Sequence, residues 1–406
     1  MAHVSPLGTA LRDEPDGAHR WMAVGHSGEA DSYRAGAEAA AAALRQREAK
    51  LVVVLASVRH DLPRLLAGVN YVAGDAPVIG CTTAGEIGPG GPFDGSVMVA
   101  ALGGAGFSVT TAAELHVSGR QREAGELLAT RTTGLAGDPE RPYSALVILT
   151  DGLTREQGVI LRGAYEVVGA GVPLFGGAAA DSFRMERTSQ FHGREVLSDG
   201  AVAAYLCSDS PLAVSIGHGW SKVGDEMIVT SAEGGRILEL DHQPALDAYL
   251  DRLGAPAEAY HDPSAFQGFA LPRPVGVQRR SGEEVVNFSS EAGLADRSLG
   301  GGISIPQGSV LWPMVGTKAA ILDAVSRTCA EALKGLGGRP PVGYLTFSCA
   351  ALRAVLGDEG IAEEGARLAA HTDGSPYAGF YTYGEIARVR GIEGFHNQTI
   401  VVLALS

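Results

Sequence analysis

The chain lacks several features that would place it in familiar classes. No apolar run approaches the ~18–20 residues needed to cross a bilayer, so insertion into a membrane is not expected. Cysteine is scarce: Cys81, Cys207, Cys329 and Cys349 are scattered and form no Cys-x-x-Cys. That spacing supports neither a zinc knuckle, a disulfide framework nor covalent haem attachment, and makes a reducing cytosol the expected compartment. Positive charge is short as well, with 32 Lys and Arg against 46 Asp and Glu and a formal charge of −14. A phosphate backbone needs a basic face, so nucleic acid is not an expected partner. Only Arg279-Arg280 hints at a local basic patch. Residues 1–20 have no basic start followed by an apolar stretch, and read as a flexible leader, not a signal peptide.

What is present is a globular composition, 45% apolar and 19% charged over 406 residues, long enough for two closely associated domains. Three segments share one plan. Leu51–Ala56, Ala145–Thr150 and Tyr344–Cys349 are apolar runs of strand length, suited to strands buried on both faces. Each leads into a helix, a second strand beginning near Pro77, Val172 or Ala378, and a return strand at Ser96–Leu102, Ala201–Leu206 or Thr399–Leu405. In the first segment Asp61 is the expected N-cap of a helix reaching Val69, with Pro63 in its first turn. The first and third segments coincide residue by residue at one place. Gly80-x-x-Thr83-x-Gly85-Glu86-Ile87 matches Gly379-x-x-Thr382-x-Gly384-Glu385-Ile386. The expected fold is therefore mixed α/β, built from duplicated strand–helix–strand–strand units whose mixed β-sheets are covered by helices. Between the second and third segments, Met227–Thr230 and Arg236–Leu240 read as a hairpin about Glu233-Gly234-Gly235, followed by helices at Pro244–Leu253 and Lys318–Leu336. The boundary expected from this change lies near residue 235, giving domains at 21–235 and 236–406.

These residues resemble the FIST family of bacterial signal-input proteins. The resemblance rests on Gly80 to Glu86, on Gly176-Gly177-x-Ala179-x-Asp181, and on Phe347-Ser348-Cys349 followed by Arg353. It continues in Gly379 to Glu385 and His396-Asn397-Gln398-Thr399, and runs in order from Trp21 to Leu405. It implies small-ligand sensing in signal transduction, beside kinases, cyclases or chemoreceptors, with amino-acid-like ligands suspected. A subset binds haem and is associated with nitric-oxide sensing, which makes haem b a candidate cofactor.

The candidate ligand-binding residues are Cys81, Thr82, Thr83, Glu86, Gly176, Gly177, Arg353, Tyr381, Tyr383, Glu385, His396 and Asn397. Glu86 and Glu385 each follow a glycine at a strand end, where a carboxylate and backbone N–H groups can converge on a ligand. The structural alternative is that each caps a turn or pairs with Arg353. Tyr381 and Tyr383 alternate with Phe380 and Thr382, so one pair faces the core and the other can line a pocket. If haem is bound, His218 (beside Trp220) and His192 are the candidate ligands, ahead of His26. Cys81 or Cys349 with His396 as base would make a cysteine-dependent enzyme, but buried inert cysteine is the commoner state. Thr150-Asp151-Gly152 is expected to close a strand and cap the next helix. The best reading is a cytoplasmic, non-catalytic sensor that signals through a partner such as a histidine kinase or cyclase, or through self-association as a homo-oligomer.

Overall fold

A computed structural model describes residues 19–135, 137–154, 156–233, 235–278, 284–287, 291–301, 305–388 and 394–406. Nearly all of the expected leader and the Arg279-Arg280 pair lie outside these residues, as do Arg155 and Gly234. The expected strands and helices form, and the mixed α/β class is as anticipated. Asp61 caps the helix Leu62–Ala73 by accepting the Arg64 N–H at 3.1 Å, with Pro63 in the first turn. Likewise, Asp31 caps the helix Ser32–Leu44 through the Arg34 N–H at 3.0 Å. Asp151 departs from expectation. Its carboxylate accepts the Leu153 N–H at 2.8 Å, closing a turn, and the next helix, Gln157–Val168, begins without it.

The repeat is fuller than its sequence signature. Each of three units starts with a further strand and helix: Trp21–Ser27 with Ser32–Leu44, Phe107–Leu115 with Gln121–Thr132, and Leu212–Gly217 with Lys318–Gly335. Four strands of each unit make one sheet in the order first, return, second, third. In the first unit these are Trp21–Ser27, Val97–Gly103, Ala49–Ser57 and Val78–Thr83, the last two parallel and the rest antiparallel. The glycines that open the motif have a packing cause. A Cβ at Gly80, Gly176 or Gly379 would fall 2.0, 2.0 or 1.9 Å from the carbonyl oxygen of Val54, Ile148 or Thr346 on the parallel neighbour. Only glycine lets the two strands lie this close.

The units are interlocked. Past its third strand each chain segment crosses to a neighbouring unit and adds a hairpin to that unit's open sheet edge. Glu86–Gly88 and Gly91–Phe93 of the first unit extend the sheet of the third, pairing with Tyr377–Thr382. Gln190–His192 and Glu195–Leu197 of the second extend the sheet of the first. Glu385–Arg388 and Phe395–His396 of the third extend the sheet of the second. The result is a closed ring of three six-stranded sheets. Their inner faces share one apolar core that includes Leu55, Met98, Val147, Phe175, Phe347, Phe380 and Val401. Their outer faces carry the helices.

The stretch between Gly217 and Lys318 is an insertion in the third unit, not part of the repeat. It carries the expected hairpin, Met227–Glu233 with Arg236–Leu240, and a helix at Ala245–Arg252. It has its own core around Leu246, Tyr249, Phe266 and Leu311. Trp220 ties it to the ring by donating its indole N–H to the Gln398 carbonyl at 2.9 Å, and Gln398 Nε2 donates to the Leu271 carbonyl at 2.7 Å. Replacing Gly379 by alanine forces apart two strands of the third sheet. We expect it to lower unfolding free energy in a urea melt by about 1–3 kcal/mol. Gly171→Ala, where the added carbon meets nothing within 4 Å, should stay within about 0.5 kcal/mol of the parent.

Candidate functional site

The three crossing segments meet one another at one end of the ring. Ala84 N–H donates to the Tyr381 carbonyl and Tyr381 N–H to the Gly85 carbonyl, both at 2.9 Å. Tyr383 N–H donates to the Ala178 carbonyl at 3.2 Å and Ala178 N–H to the Gly384 carbonyl at 2.8 Å. Ala180 N–H closes the circle on the Thr82 carbonyl at 2.8 Å. Segments separated by up to 297 positions, from Ala84 to Tyr381, thus form one backbone junction, and the motif residues gather around it.

The two glutamates are fully buried. Glu86 Oε1 accepts from Thr83 Oγ1 at 2.5 Å, and Oε2 accepts from the Ser96 hydroxyl and N–H at 2.5 and 3.2 Å. Burial pushes this carboxyl up to about 7 against the opposing pull of those donors. Glu385 accepts from the Thr399 hydroxyl at 2.9 Å and N–H at 3.1 Å, and burial again raises it strongly. Neither glutamate takes Arg353. That guanidinium donates to the Ala84 carbonyl at 2.7 Å and grips both carboxylate oxygens of Asp94. It also lies 5.2 Å from the centre of the Tyr381 ring. A Cβ on Gly85 (φ 122°) would fall 2.1 Å from Arg353 Nη1, so the glycine leaves room for the arginine.

Tyr381 and Tyr383 each donate to a carboxylate. Tyr381 Oη donates to Glu364 at 2.7 Å, and Ser348 Oγ donates to the other Glu364 oxygen at 2.7 Å. Burial raises Glu364, and burial together with Glu364 raises the Tyr381 hydroxyl. Tyr383, half-buried, donates to Asp181 at 2.5 Å. Burial alone would raise Asp181. The Tyr383 bond and the N–H groups of Arg187, Glu186 and Met185 hold it below its ordinary value instead. The loop so fixed turns outward, with Phe183 and Met185 exposed.

The other predicted residues are placed as follows. Thr82 Oγ1 accepts the Ser189 N–H at 3.0 Å. A side chain at Gly177 would meet Thr382 Oγ1 at 2.8 Å. His396 Nε2 lies 3.0 Å from the Ala387 carbonyl, and Asn397 N–H donates to the Val286 carbonyl of the insertion at 3.3 Å. Cys81 and Cys349 are buried, and burial pushes both thiols up, with the adjoining Glu385 acting in the same direction on Cys349. Such surroundings oppose a thiolate nucleophile.

His218 and His192 do not come together. His218 Nδ1 accepts the Trp220 N–H at 3.2 Å. His192 Nε2 lies 3.1 Å from Thr111 Oγ1, in a cleft of about 490 Å³ also lined by Glu114, Arg131 and Glu195. The walls are mixed, with Ala112, Ala113, Leu115 and Leu197 beside these charged groups. A second cleft, of about 620 Å³, lies in the insertion between Arg236, Gln267, Glu291 and Asp296, away from the junction. Among the described residues no cluster of three or more metal-ligating side chains occurs. Nor is any described helix long and apolar enough to cross a membrane.

The order of these segments matches two family profiles, the FIST N domain over residues 50–243 and the FIST C domain over residues 245–388. The chain belongs to the FIST family. FIST domains mark signal-transduction sensors of small ligands, so the sensor class expected from the motifs holds. Two Mycobacterium tuberculosis proteins, MT0656 and Rv0628c, are each 27% identical to it over 401 residues, spanning 93% of this chain and 97% of theirs. MJ1623 of Methanocaldococcus jannaschii is 33% identical over 82 residues, 20% of this chain and 16% of that protein. Their names carry no activity. In this FIST protein, Asp94, Ser96, Gln190 and Glu364 join the site without having been marked by the motifs. With all four cysteines buried, a thiol reagent such as dithionitrobenzoate should titrate close to none of them in the native protein. All four should react after unfolding; rapid native labelling of Cys81 or Cys349 would reopen the enzymatic reading.

Proposed function

We propose that this protein is a non-catalytic sensor whose small ligand, an amino-acid-like metabolite bearing a carboxylate, binds at the junction of the three crossing segments. The observation that carries this reading is Arg353. It belongs to the C-terminal half, reaches the Ala84 carbonyl and Asp94 of the N-terminal half, and keeps its guanidinium half-buried against an aromatic ring. Asp94 is largely exposed, with 71% of its side chain accessible, so it can swing away and leave the guanidinium to a ligand carboxylate. Tyr383 and Asp181 stand at the same junction and can take a donor group of the ligand. Glu86 and Glu385 then shape the site from within and do not touch the ligand.

A ligand bridging Arg353 and the Asp181 loop binds one arrangement of the two halves better than another, and that difference is what a sensor transmits. The signal passes to a partner protein, a histidine kinase or cyclase in a cytoplasmic setting, or to a second copy of the chain. The exposed Phe183 and Met185 sit on the loop that Asp181 anchors and supply a surface for that contact.

Calorimetric titration with a panel of carboxylate metabolites tests the reading. Arg353→Gln should weaken the binding ligand by about tenfold or more, ~1.4 kcal/mol, without unfolding the chain. Asp94→Asn should strengthen it by removing the internal competitor. Unchanged affinity in both variants would place the ligand elsewhere. A Soret band in the purified protein, altered by nitric oxide, would replace this reading with a haem-based one.

A further inference from the structure

The three hairpins that lock the ring begin at equivalent positions. Glu86 stands opposite Phe380, Gln190 opposite Cys81, and Glu385 opposite Gly177. Each of those partners directly follows the glycine that packs against its parallel neighbour, so Glu86, Gln190 and Glu385 occupy one place in three seams. All three side chains are fully buried. At two seams the side chain is a carboxyl held by hydroxyl and N–H donors, with no cation among its described bonds. At the third it is an amide, the neutral isostere of a carboxylic acid, and it cannot titrate.

The surroundings change with it. The residues whose carbonyls accept the N–H of Ser57, Asp151 and Cys349 are Ser96, Gly200 and Thr399, so Gly200 replaces the hydroxyl partner at the amide seam. The strand registers put Ala179 where Thr83 and Thr382 stand. The two glutamate seams therefore keep donors able to hold an anion inside a site whose burial favours the acid. The amide seam lacks those donors, and the Gln190 side chain, which carries no titratable proton, has neither its amide oxygen nor its amide nitrogen hydrogen-bonded.

We propose that Glu86 and Glu385 are neutral carboxylic acids in the closed ring, and that their ionisation loosens both seams of the third unit while the Gln190 seam stays shut. The direction follows from connectivity. The Glu86 hairpin closes the sheet of the third unit, and the Glu385 hairpin leaves the third unit for the second. The Gln190 hairpin joins the first two units alone. Loss of the protons frees the third unit and its insertion as one body, and leaves the first and second as the fixed pair. This inference stands without the ligand reading.

The charged and titratable groups facing Glu86 are Asp94 and Arg353, which are paired with each other. Facing Glu385 are the Cys349 thiol and His396 on the opposing strand, with Arg388 further along its own strand and drawn over the Tyr165 ring. Neither arginine is among the described hydrogen-bond partners of either carboxyl. Both carboxyls are raised above their ordinary value of 4.5, Glu86 to about 7. Between the unfolded and folded values the folded state binds more protons, so this contribution is full in acid and is lost as pH rises through the folded value.

Hydrogen exchange read by mass spectrometry on the full chain tests the proposal at about pH 6 and about pH 8.5, which bracket the titration. After correction for the chemical rate, the hairpin at 86–93 and the paired strands 385–388 and 395–396 should lose protection by roughly tenfold or more at the higher pH. The hairpin at 190–197 should not. The Glu86→Gln, Glu385→Gln double variant should abolish the difference. Equal behaviour of the three hairpins in the parent protein would overturn the proposal, whether or not the variant folds. So would a folded double variant that keeps the parent's pH dependence.

Discussion

The structure depends on backbone pairing between units. Each four-stranded sheet would end in an open edge of unpaired N–H and C=O groups, and each edge is closed by a hairpin from another unit. Because the exchange runs first to third, third to second and second to first, no unit completes its sheet alone. The shared core inside the ring follows from that closure, since three inner faces are held toward one another and away from water. The glycines of the motif serve the same end, allowing the close strand approach that carries each segment to its crossing point.

Closure also explains why the polar motif residues lie where they do. A chain that leaves one sheet for another must pass buried ground between them, where every polar group needs a partner. Thr83, Ser96, Thr382 and Thr399 supply hydroxyls there, and the backbones of the three crossing segments bond one another. The site is thus first a solution to the problem of crossing. Arg353 and Tyr383, only partly buried, and the buried Asp181 that Tyr383 bonds are the groups proposed above to meet a ligand. The family's division into N and C parts falls across this ring, so any change in how those parts meet is felt at the junction.

The sequence reveals the first and third corners because their spacing is the same: Gly80 to Glu86 and Gly379 to Glu385 are each 6 positions apart. The second corner is hidden, since Gly176 and Gln190 are 14 positions apart and the intervening loop breaks the pattern. Counting back from the return strand would have found it, for Gln190 precedes Gly200 by 10 positions just as Glu86 precedes Ser96. Asp94 and Glu364 had no such signal. Asp94 sits in the bend just past the hairpin Glu86–Phe93 and matters only because that hairpin lands beside Arg353. Glu364 is an ordinary acidic residue in a helix until the fold turns it onto Tyr381. The leading strands and the helix Gln121–Thr132 were missed because their apolar pattern is weaker, as in Leu212–Gly217, which is only half-buried.

Local chemistry in the sequence was enough to determine the strand runs, the Asp61 cap, the repeat and the family, because each is written in neighbouring residues. It also marked Glu86 and Glu385 as unusual. What it could not determine is that each glutamate lies in another unit's sheet, and that a glutamine is their third counterpart. Pairing between distant strands sets those relations, and the energies involved belong to backbone groups that every residue carries alike. Only the tertiary structure decides which edge a hairpin closes, and with it which buried carboxyls share a role.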